Sequence, residues 1–201
     1  MNGDVILVPG LWMPGAAMAV LALRLARLGY RTHVFAYRGR SPFDANVDRL
    51  AKFLPHNKIH YVGHSLGGVM VLEMLNRHPE VPACSALLLG APVRGCLAGR
   101  RFGGHRTGRW MMGACGPLWE EREACWRRRE PLGVIAGTVA LGLGRAFGRL
   151  PGANDGVVCV SETTVDGMTA RALVPQGHSV LIVSGQVGRL VEKFLAGGRF
   201  E

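Results

Sequence analysis

The chain has 201 residues, of which 48% are hydrophobic and 19% are charged. This composition excludes a disordered protein, and the length fits one domain with a substantial core. The net charge is +10, which suits an anionic partner such as nucleic acid, anionic lipid or an acidic substrate. Half of that charge lies in residues 94–130, where nine arginines stand against four glutamates.

The cysteines and the apolar runs indicate where the protein works. Its five cysteines are an odd set without metal-binding spacing, so we expect reduced thiols that pack in the interior. No basic region precedes the first apolar run, and we expect no secretory signal. The uncharged run at 131–144 is too short and too rich in glycine to span a bilayer. We therefore expect a cytoplasmic protein.

Alternating strand and helix patterns predict an α/β fold. The apolar runs at 4–8 and 85–90 have the continuous hydrophobicity of strands buried on both faces. Their alternation with helical patterns favours a mostly parallel sheet with helices on both faces. The predicted strands are 4–8, 31–37, 59–62, 85–90, 132–137 and 172–175, and the predicted helices are 16–28, 44–54, 68–75 and 180–195.

This regular pattern lapses in two segments. From 93 to about 130, glycine, arginine and tryptophan dominate, and only a charged patch at 119–129 is a candidate helix. The glycine-rich stretch 140–152 is predicted as a loop, and its Gly-Leu-Gly at 142–144 lacks the context of a dinucleotide-binding loop. No repeat or linker divides the chain, so we expect a single domain, 1–201, with 94–130 as an insertion.

The most informative stretch is Gly63-His64-Ser65-Leu66-Gly67, which joins a predicted strand to a predicted helix. A serine at such a turn is strained, and glycine two residues before and after it removes Cβ atoms that would clash. The first amides of the helix then face a charge that develops near the hydroxyl. This is the nucleophile-elbow pattern, and it predicts Ser65 as a nucleophile with His64 packed beside the turn.

A serine nucleophile needs a base, and the base needs an acid that orients it. On a sheet of this type the acid and then the histidine follow the serine, on loops at the carboxyl ends of strands. Asp155 follows the strand at 132–137, and His178 follows the last strand. Glu162 and Asp166 also lie between the serine and this histidine, so they are alternative acids.

Four motifs carry a resemblance to a known family: Val8-Pro9-Gly10-Leu11-Trp12, Gly63-His64-Ser65-Leu66-Gly67-Gly68, Asn154-Asp155-Gly156-Val157-Val158 and Gly177-His178-Ser179. With the order of elements, they cover nearly the whole chain except 94–130. The chain resembles the α/β-hydrolase superfamily, and within it small bacterial lipase-like or esterase-like members. The resemblance implies that Ser65 is the nucleophile, that His178 is the general base and then the acid, and that Asp155 orients the imidazole.

The resemblance also implies an oxyanion hole made by the backbone amides of Leu11 and Leu66. Many relatives have His-Gly where this chain has Pro9-Gly10. The amide of Leu11 survives that difference, so we expect the oxyanion hole to persist on a loop that departs from the family pattern.

The basic segment 94–130 stands where this superfamily often inserts a cap over the site. One hypothesis is that an apolar set roofs an acyl pocket while the arginines face solvent or an anionic membrane. That set is Trp110, Met111, Met112, Leu118 and Trp119. The alternative is a mobile basic loop that serves solubility. We do not expect nucleic-acid binding, because the arginines match no recognised module and the aromatics lack regular spacing.

The predicted activity is hydrolysis of carboxylic esters or thioesters of small acyl or lipid substrates. It would proceed through an acyl-enzyme and would need no cofactor or metal. Two alternatives stay open. Acyl transfer to a bound alcohol or amine would use the same residues, and a non-catalytic homologue of the same fold would bind a ligand or a protein.

Overall fold

A computed structural model of the protein describes residues 2–53, 59–141 and 148–201. Six strands form one sheet in the order β2-β1-β3-β4-β5-β6, and all neighbouring strands pair in parallel. The strands are β1 (Asp4–Val8), β2 (Arg31–Val34), β3 (Ile59–His64), β4 (Ser85–Leu89), β5 (Leu132–Gly137) and β6 (Ala170–Val174). The predicted α/β fold class is therefore confirmed.

Helices cover both faces of this sheet, as predicted. On one face lie α2 (Phe43–Ala51) and α3 (Leu66–Arg77), and on the other lie α1 (Ala19–Arg27) and α6 (Gly185–Gly197). Side chains along each strand point alternately into these two apolar layers. Both faces are buried, and this explains why the central strands are continuous apolar runs.

Several element boundaries differ from the prediction. The helix predicted at 16–28 begins as a 3-10 helix at Gly15–Met18, and the second strand ends at Val34 rather than at 37. The last helix begins at 185 rather than at 180, because the side chain of Ser184 accepts the Val187 amide and caps it there (3.4 Å). The predicted end of α2, at 54, lies outside the described residues.

The insertion contains helices, but not where the sequence indicated. Its helices are α4 (Leu97–Gly104) and α5 (Arg106–Met112), followed by 3-10 turns at Gly113–Trp119. Residues 120–129 form no helix, so the candidate helix at 119–129 is wrong. Tertiary contacts support these helices. A Cβ added at Gly99, on α4, would lie only 2.8 Å from the Trp119 ring.

Arg128 holds the charged patch against the end of α3. Its guanidinium donates to the carbonyls of Leu75, His78 and Val81 and pairs with Glu130. Carbonyls at the end of a helix lack intrahelical partners, and a cation there interacts favourably with the helix dipole. The patch therefore anchors the end of the insertion to the carboxyl end of α3.

The five cysteines are all free thiols, as expected. Three of them are buried, and burial raises the pKa of Cys96 to about 12 and the pKa values of Cys115 and Cys159 to about 11. The thiolate is the reactive form of cysteine, so these three side chains are chemically inert packing groups.

Candidate active site

Ser65 occupies a strained turn between β3 and α3. Its φ of 53° and ψ of −126° are angles that residues with a Cβ rarely adopt. The Ser65 amide donates to the carbonyl of Leu89 at 2.9 Å, which ties the turn to the end of β4. The side chain of Ser65 is thereby held at the carboxyl edge of the sheet, and it is partly exposed.

The glycines on either side of the turn are sterically required. A Cβ added at Gly63 would lie 2.5 Å from the carbonyl oxygen of Gly67. A Cβ added at Gly67 would overlap the carbonyl oxygens of Val8 and Pro9. Both obstacles are backbone atoms, which cannot rotate away, so the steric reason inferred from the sequence is confirmed. The close approach also seats the start of α3 against the end of β1.

Asp155 and His178 form a buried pair at the same edge of the sheet. Nδ1 of His178 lies 2.7 Å from Oδ2 of Asp155, and the two residues are 7% and 1% exposed. The His178 amide also donates to the Asp155 carbonyl at 2.9 Å. With the proton on Nδ1, the Nε2 atom of His178 is available to accept a proton from a nucleophile.

The second carboxylate oxygen of Asp155 holds its own loop in place. Oδ1 accepts the amides of Val157 and Val158 at 3.0 and 2.7 Å. The loop turns at Gly156, whose φ is 91°, and the Asn154 side chain accepts the Gly156 amide. One oxygen thus fixes the acid to the backbone while the other is directed to the imidazole.

The two alternative acids have other partners. Glu162 accepts two backbone amides at 2.6 and 2.7 Å, and burial raises its pKa. Asp166 pairs with Arg94. Neither carboxylate bonds to His178 in the part of the chain that the structure describes. Among the three candidates, only Asp155 lies where it can orient the imidazole.

Gly90 links the serine to this acid–base pair. It follows Leu89, which accepts the Ser65 amide, and its φ is 54°. A Cβ added at Gly90 would lie 3.0 Å from Oδ2 of Asp155 and 3.3 Å from Nδ1 of His178. Across the described residues, no hydrogen bond joins the Ser65 hydroxyl to His178. Such bonds are often long in the unliganded state and shorten when substrate binds.

His64, next to the serine, contacts His178 directly. Its Nε2 donates to the carbonyl oxygen of His178 at 3.1 Å, and the two ring centroids are 4.7 Å apart. Burial, reinforced by the neighbouring His178, lowers the pKa of His64 to about 3, so its ring is neutral. Within the described ranges its Nδ1 has no hydrogen-bond partner. The expectation that His64 packs beside the elbow is confirmed, but its bond to the base had no signal in the sequence.

The two amides predicted for the oxyanion hole border the serine. A Cβ added at Gly10 would lie 3.0 Å from the Cβ of Ser65, so the first loop approaches the elbow closely. Leu11 directly follows Gly10, and Leu66 directly follows Ser65. Neither amide has an intramolecular acceptor among the residues described. Trp12 comes next with a φ of 61°, a strained conformation that the sequence did not indicate.

The insertion packs against both loops of the site. The Cys96 thiol lies 3.7 Å from the carbonyl oxygen of Val157 in the acid loop, and the Trp12 indole donates to the Met111 carbonyl at 3.2 Å. A cleft between α4 and residues 148–154 reaches Asn154, beside Asp155.

The five side chains expected to roof a pocket divide into two groups. Met112 and Trp119 are buried and Leu118 is partly buried, whereas Trp110 and Met111 are 67% and 41% exposed. The last two therefore lie on the outer surface of the insertion.

Comparison with known proteins identifies the family. The sequence model of the alpha/beta hydrolase family matches residues 5–188, most of the chain. The chain therefore belongs to the α/β-hydrolase family. No curated protein sequence matches it.

Solved structures with a similar fold include several hydrolases. A pyrethroid hydrolase from Sphingobium faniae JZ-2 is 14% identical, with a TM-score of 0.63 over 97% of this chain and 98% of that one. A lipase-esterase related protein from Clostridium acetobutylicum ATCC 824 is 11% identical, with a TM-score of 0.66 over 96% and 94%. A thioesterase from the prodiginine biosynthetic pathway of Streptomyces coelicolor is 16% identical, with a TM-score of 0.59 over 97% and 85%. At these identities the likeness shows the fold.

The described residues lack two further features. No three His, Cys, Asp or Glu side chains there converge as metal ligands would. No helix in residues 2–53, 59–141 and 148–201 is long and apolar enough to cross a membrane.

Proposed function

We propose that the protein is a serine hydrolase that cleaves carboxylic esters or thioesters through an acyl-enzyme. The observation that carries this proposal is the buried 2.7 Å hydrogen bond between Asp155 and His178, beside the strained turn that holds Ser65. Family membership and the esterase-related and thioesterase proteins of similar fold support it. Because the proteins of similar fold include both an esterase-related protein and a thioesterase, the proposal covers both kinds of bond.

In the first half of the reaction, Oγ of Ser65 attacks the acyl carbonyl carbon while Nε2 of His178 takes the hydroxyl proton. The Asp155 carboxylate accepts a hydrogen bond from the Nδ1–H group of His178 and stabilises the imidazolium. The carbonyl oxygen becomes an oxyanion, which accepts hydrogen bonds from the backbone amides of Leu11 and Leu66. Each donor of this kind contributes about 10²–10³-fold to turnover.

In the second half, His178 returns its proton to the leaving alcohol or thiol as the bond to the acyl carbon breaks. Water then attacks the acyl-enzyme with His178 as base, and the carboxylic acid leaves as Ser65 regains its proton. The neutral state of His64 favours this cycle, because a second positive ring 4.7 Å away would oppose the imidazolium.

Acyl transfer is the second candidate, since an alcohol or amine bound beside Ser65 would replace water in the last step. A non-catalytic homologue is the third.

Labelling with a fluorophosphonate probe, followed by mass spectrometry, tests the nucleophile. We expect an adduct on Ser65 in the wild type and none in Ser65→Ala or His178→Ala. Ser161→Ala serves as the matched control, because this exposed serine lies outside the site and should not affect labelling.

Failure of the folded wild type to label would contradict the proposal and favour a non-catalytic homologue. A labelled protein is then given acyl esters and acyl thioesters, with and without competing alcohols and amines. Free carboxylic acid as the main product would assign hydrolysis. New esters or amides as the main products would assign acyl transfer.

We also propose that segment 94–130 acts as a cap and that the protein works in the cytoplasm. The contacts of α4 and α5 with the acid loop and with Trp12 support the first point. Five free cysteines support the second, because a reducing compartment keeps thiols unpaired.

A further inference from the structure

The outer surface of the insertion and the neighbouring loop at Trp12 carry large exposed apolar side chains. Trp110 is 67% exposed, Trp12 is 52% exposed and Met111 is 41% exposed. A contact joins two of them, since the Trp12 indole nitrogen donates to the Met111 carbonyl at 3.2 Å. Soluble domains rarely cluster large apolar side chains on the surface unless the cluster binds something.

These side chains are fixed in their exposed positions. Trp12 has a positive φ of 61°, a strained conformation that persists only where the surrounding structure holds it. The Trp12 ring meets the Phe102 ring edge-on, with centroids 5.7 Å apart. The guanidinium of Arg40 lies 4.7 Å from the centroid of the Trp110 ring. A surface that is ordered before it meets a partner loses less entropy on binding.

Two basic side chains lie beside this cluster. Arg106 precedes Trp110 by one helical turn on α5, so both lie on one side of that helix, and Arg40 packs on the same indole. We call Trp12, Trp110, Met111, Arg40 and Arg106 the tryptophan–arginine face.

The chain segments that carry the face are basic. Residues 9–15, 38–41 and 95–119, which hold or flank the face, contain six arginines and no aspartate or glutamate. The first carboxylates after the last of these segments, at Glu120 and Glu121, pair with Arg100. A positive field of this kind attracts an anionic surface and weakens as salt rises.

The combination of residue types points to a lipid surface. Tryptophan rings favour the headgroup level of a bilayer, and arginine binds phosphate in a bidentate manner. Methionine adds apolar contact that a base-stacking surface would not require. We propose that the tryptophan–arginine face binds the surface of an anionic phospholipid bilayer. This binding is independent of the proposed chemistry, although Trp12 directly follows Leu11 and so places the bilayer beside the predicted oxyanion loop.

Vesicle sedimentation with the full chain tests this proposal. The probes are vesicles of phosphatidylcholine alone and of phosphatidylcholine mixed with phosphatidylglycerol. We expect binding to the mixed vesicles to be about tenfold stronger or more, to fall as salt rises, and to shift tryptophan emission to the blue. Each basic residue near an anionic surface contributes about fivefold, so the double variant Trp110→Ala/Arg106→Glu should lose about tenfold or more.

The control is the double variant Leu173→Ala/Arg199→Glu. Leu173 is 55% exposed on β6, the edge strand farthest from β2, and Arg199 is exposed near the end of the chain. This variant carries the same charge change and should bind within about twofold of wild type. Equal binding to neutral and anionic vesicles, or equal losses in the two variants, would overturn the proposal. Tighter binding to a single-stranded RNA, lost in the Trp110→Ala/Arg106→Glu variant alone, would instead assign the face to nucleic acid.

Circular dichroism and urea unfolding of each variant show whether it is folded. If the test variant is unfolded, Arg106→Glu alone is used, because Arg106 is exposed on the surface of α5. Repeating the sedimentation with Ser65→Ala separates this proposal from the proposed function. If Ser65→Ala binds the vesicles although it is not labelled by the probe, the face acts independently of the nucleophile. If the wild type is labelled but does not bind the vesicles, only the membrane proposal fails and the hydrolase proposal stands.

Discussion

Replacing Asp155 by asparagine separates its two tasks, which are to order its loop and to orient His178. The asparagine oxygen can still accept the amides of Val157 and Val158, so the loop should keep its conformation. The remaining amide group would then face Nδ1 of His178, 2.7 Å away, as a donor instead of an acceptor. The imidazole must then place its proton on Nε2, where it cannot take the serine proton.

The expected cost is therefore kinetic. Loss of the orienting acid in a serine triad lowers turnover by about 10⁴-fold, and we expect about 10³–10⁴-fold for Asp155→Asn. The free energy of unfolding should fall by only about 1–2 kcal/mol, since one hydrogen bond to a charged group is lost. Initial rates on a short-chain p-nitrophenyl ester give the first quantity, and urea unfolding gives the second.

Glu162→Gln is the matched control, because Glu162 is a partly buried carboxylate that also lies between Ser65 and His178 in the chain. Its two oxygens hold backbone amides at the edge of the insertion, so its replacement should lower stability while kcat changes by less than about tenfold. The argument is refuted if Asp155→Asn keeps kcat within about tenfold of wild type, or if the two variants lose kcat equally.

Two further predictions concern the elbow. Gly67→Ala should lower the free energy of unfolding by about 3 kcal/mol or more, because the new Cβ would overlap the carbonyls of Val8 and Pro9. Gly197→Ala, in open space on α6, should be neutral or stabilising, and equal effects in urea unfolding would contradict the steric reasoning. His64 has a folded pKa of about 3 against about 6.5 unfolded, so its contribution is complete above pH 6.5 and declines as the pH falls toward 3. In His64→Gln, the loss of unfolding free energy between pH 6.5 and 5 should be smaller by about 1–2 kcal/mol, and an unchanged loss would show that His64 titrates normally.

The sequence predicted the sheet because its signals are local. Strands buried on both faces need continuous apolar runs, and all six predicted strands are present in the structure. The ends of elements were less predictable, since they depend on neighbours. The second strand stops early at the edge of the sheet, and α6 starts where a serine side chain caps it.

The insertion was poorly predicted for a related reason. Its helices are short, and α4 has three glycines in eight residues, so sequence propensity argues against them. They persist because other parts of the chain contact them: the Trp119 ring covers Gly99, and Glu162 accepts the first amide of α4. These contacts join residues 20 to 65 positions apart. Contacts over such distances along the chain cannot be recognised from a short window of sequence.

The same contrast explains why the reaction class is easier to infer than the substrate. A turn of this kind needs glycine where two backbone segments nearly touch. The spacing of Gly63, Ser65 and Gly67 can therefore be recognised in the sequence. If the insertion is the cap proposed above, substrate selection would depend on how it packs over the site, and long-range contacts set that packing. Exposed Trp110 and buried Trp119 come from one segment of uniform composition, yet they face opposite environments. Their roles follow from the fold of the insertion and had to be read from its structure.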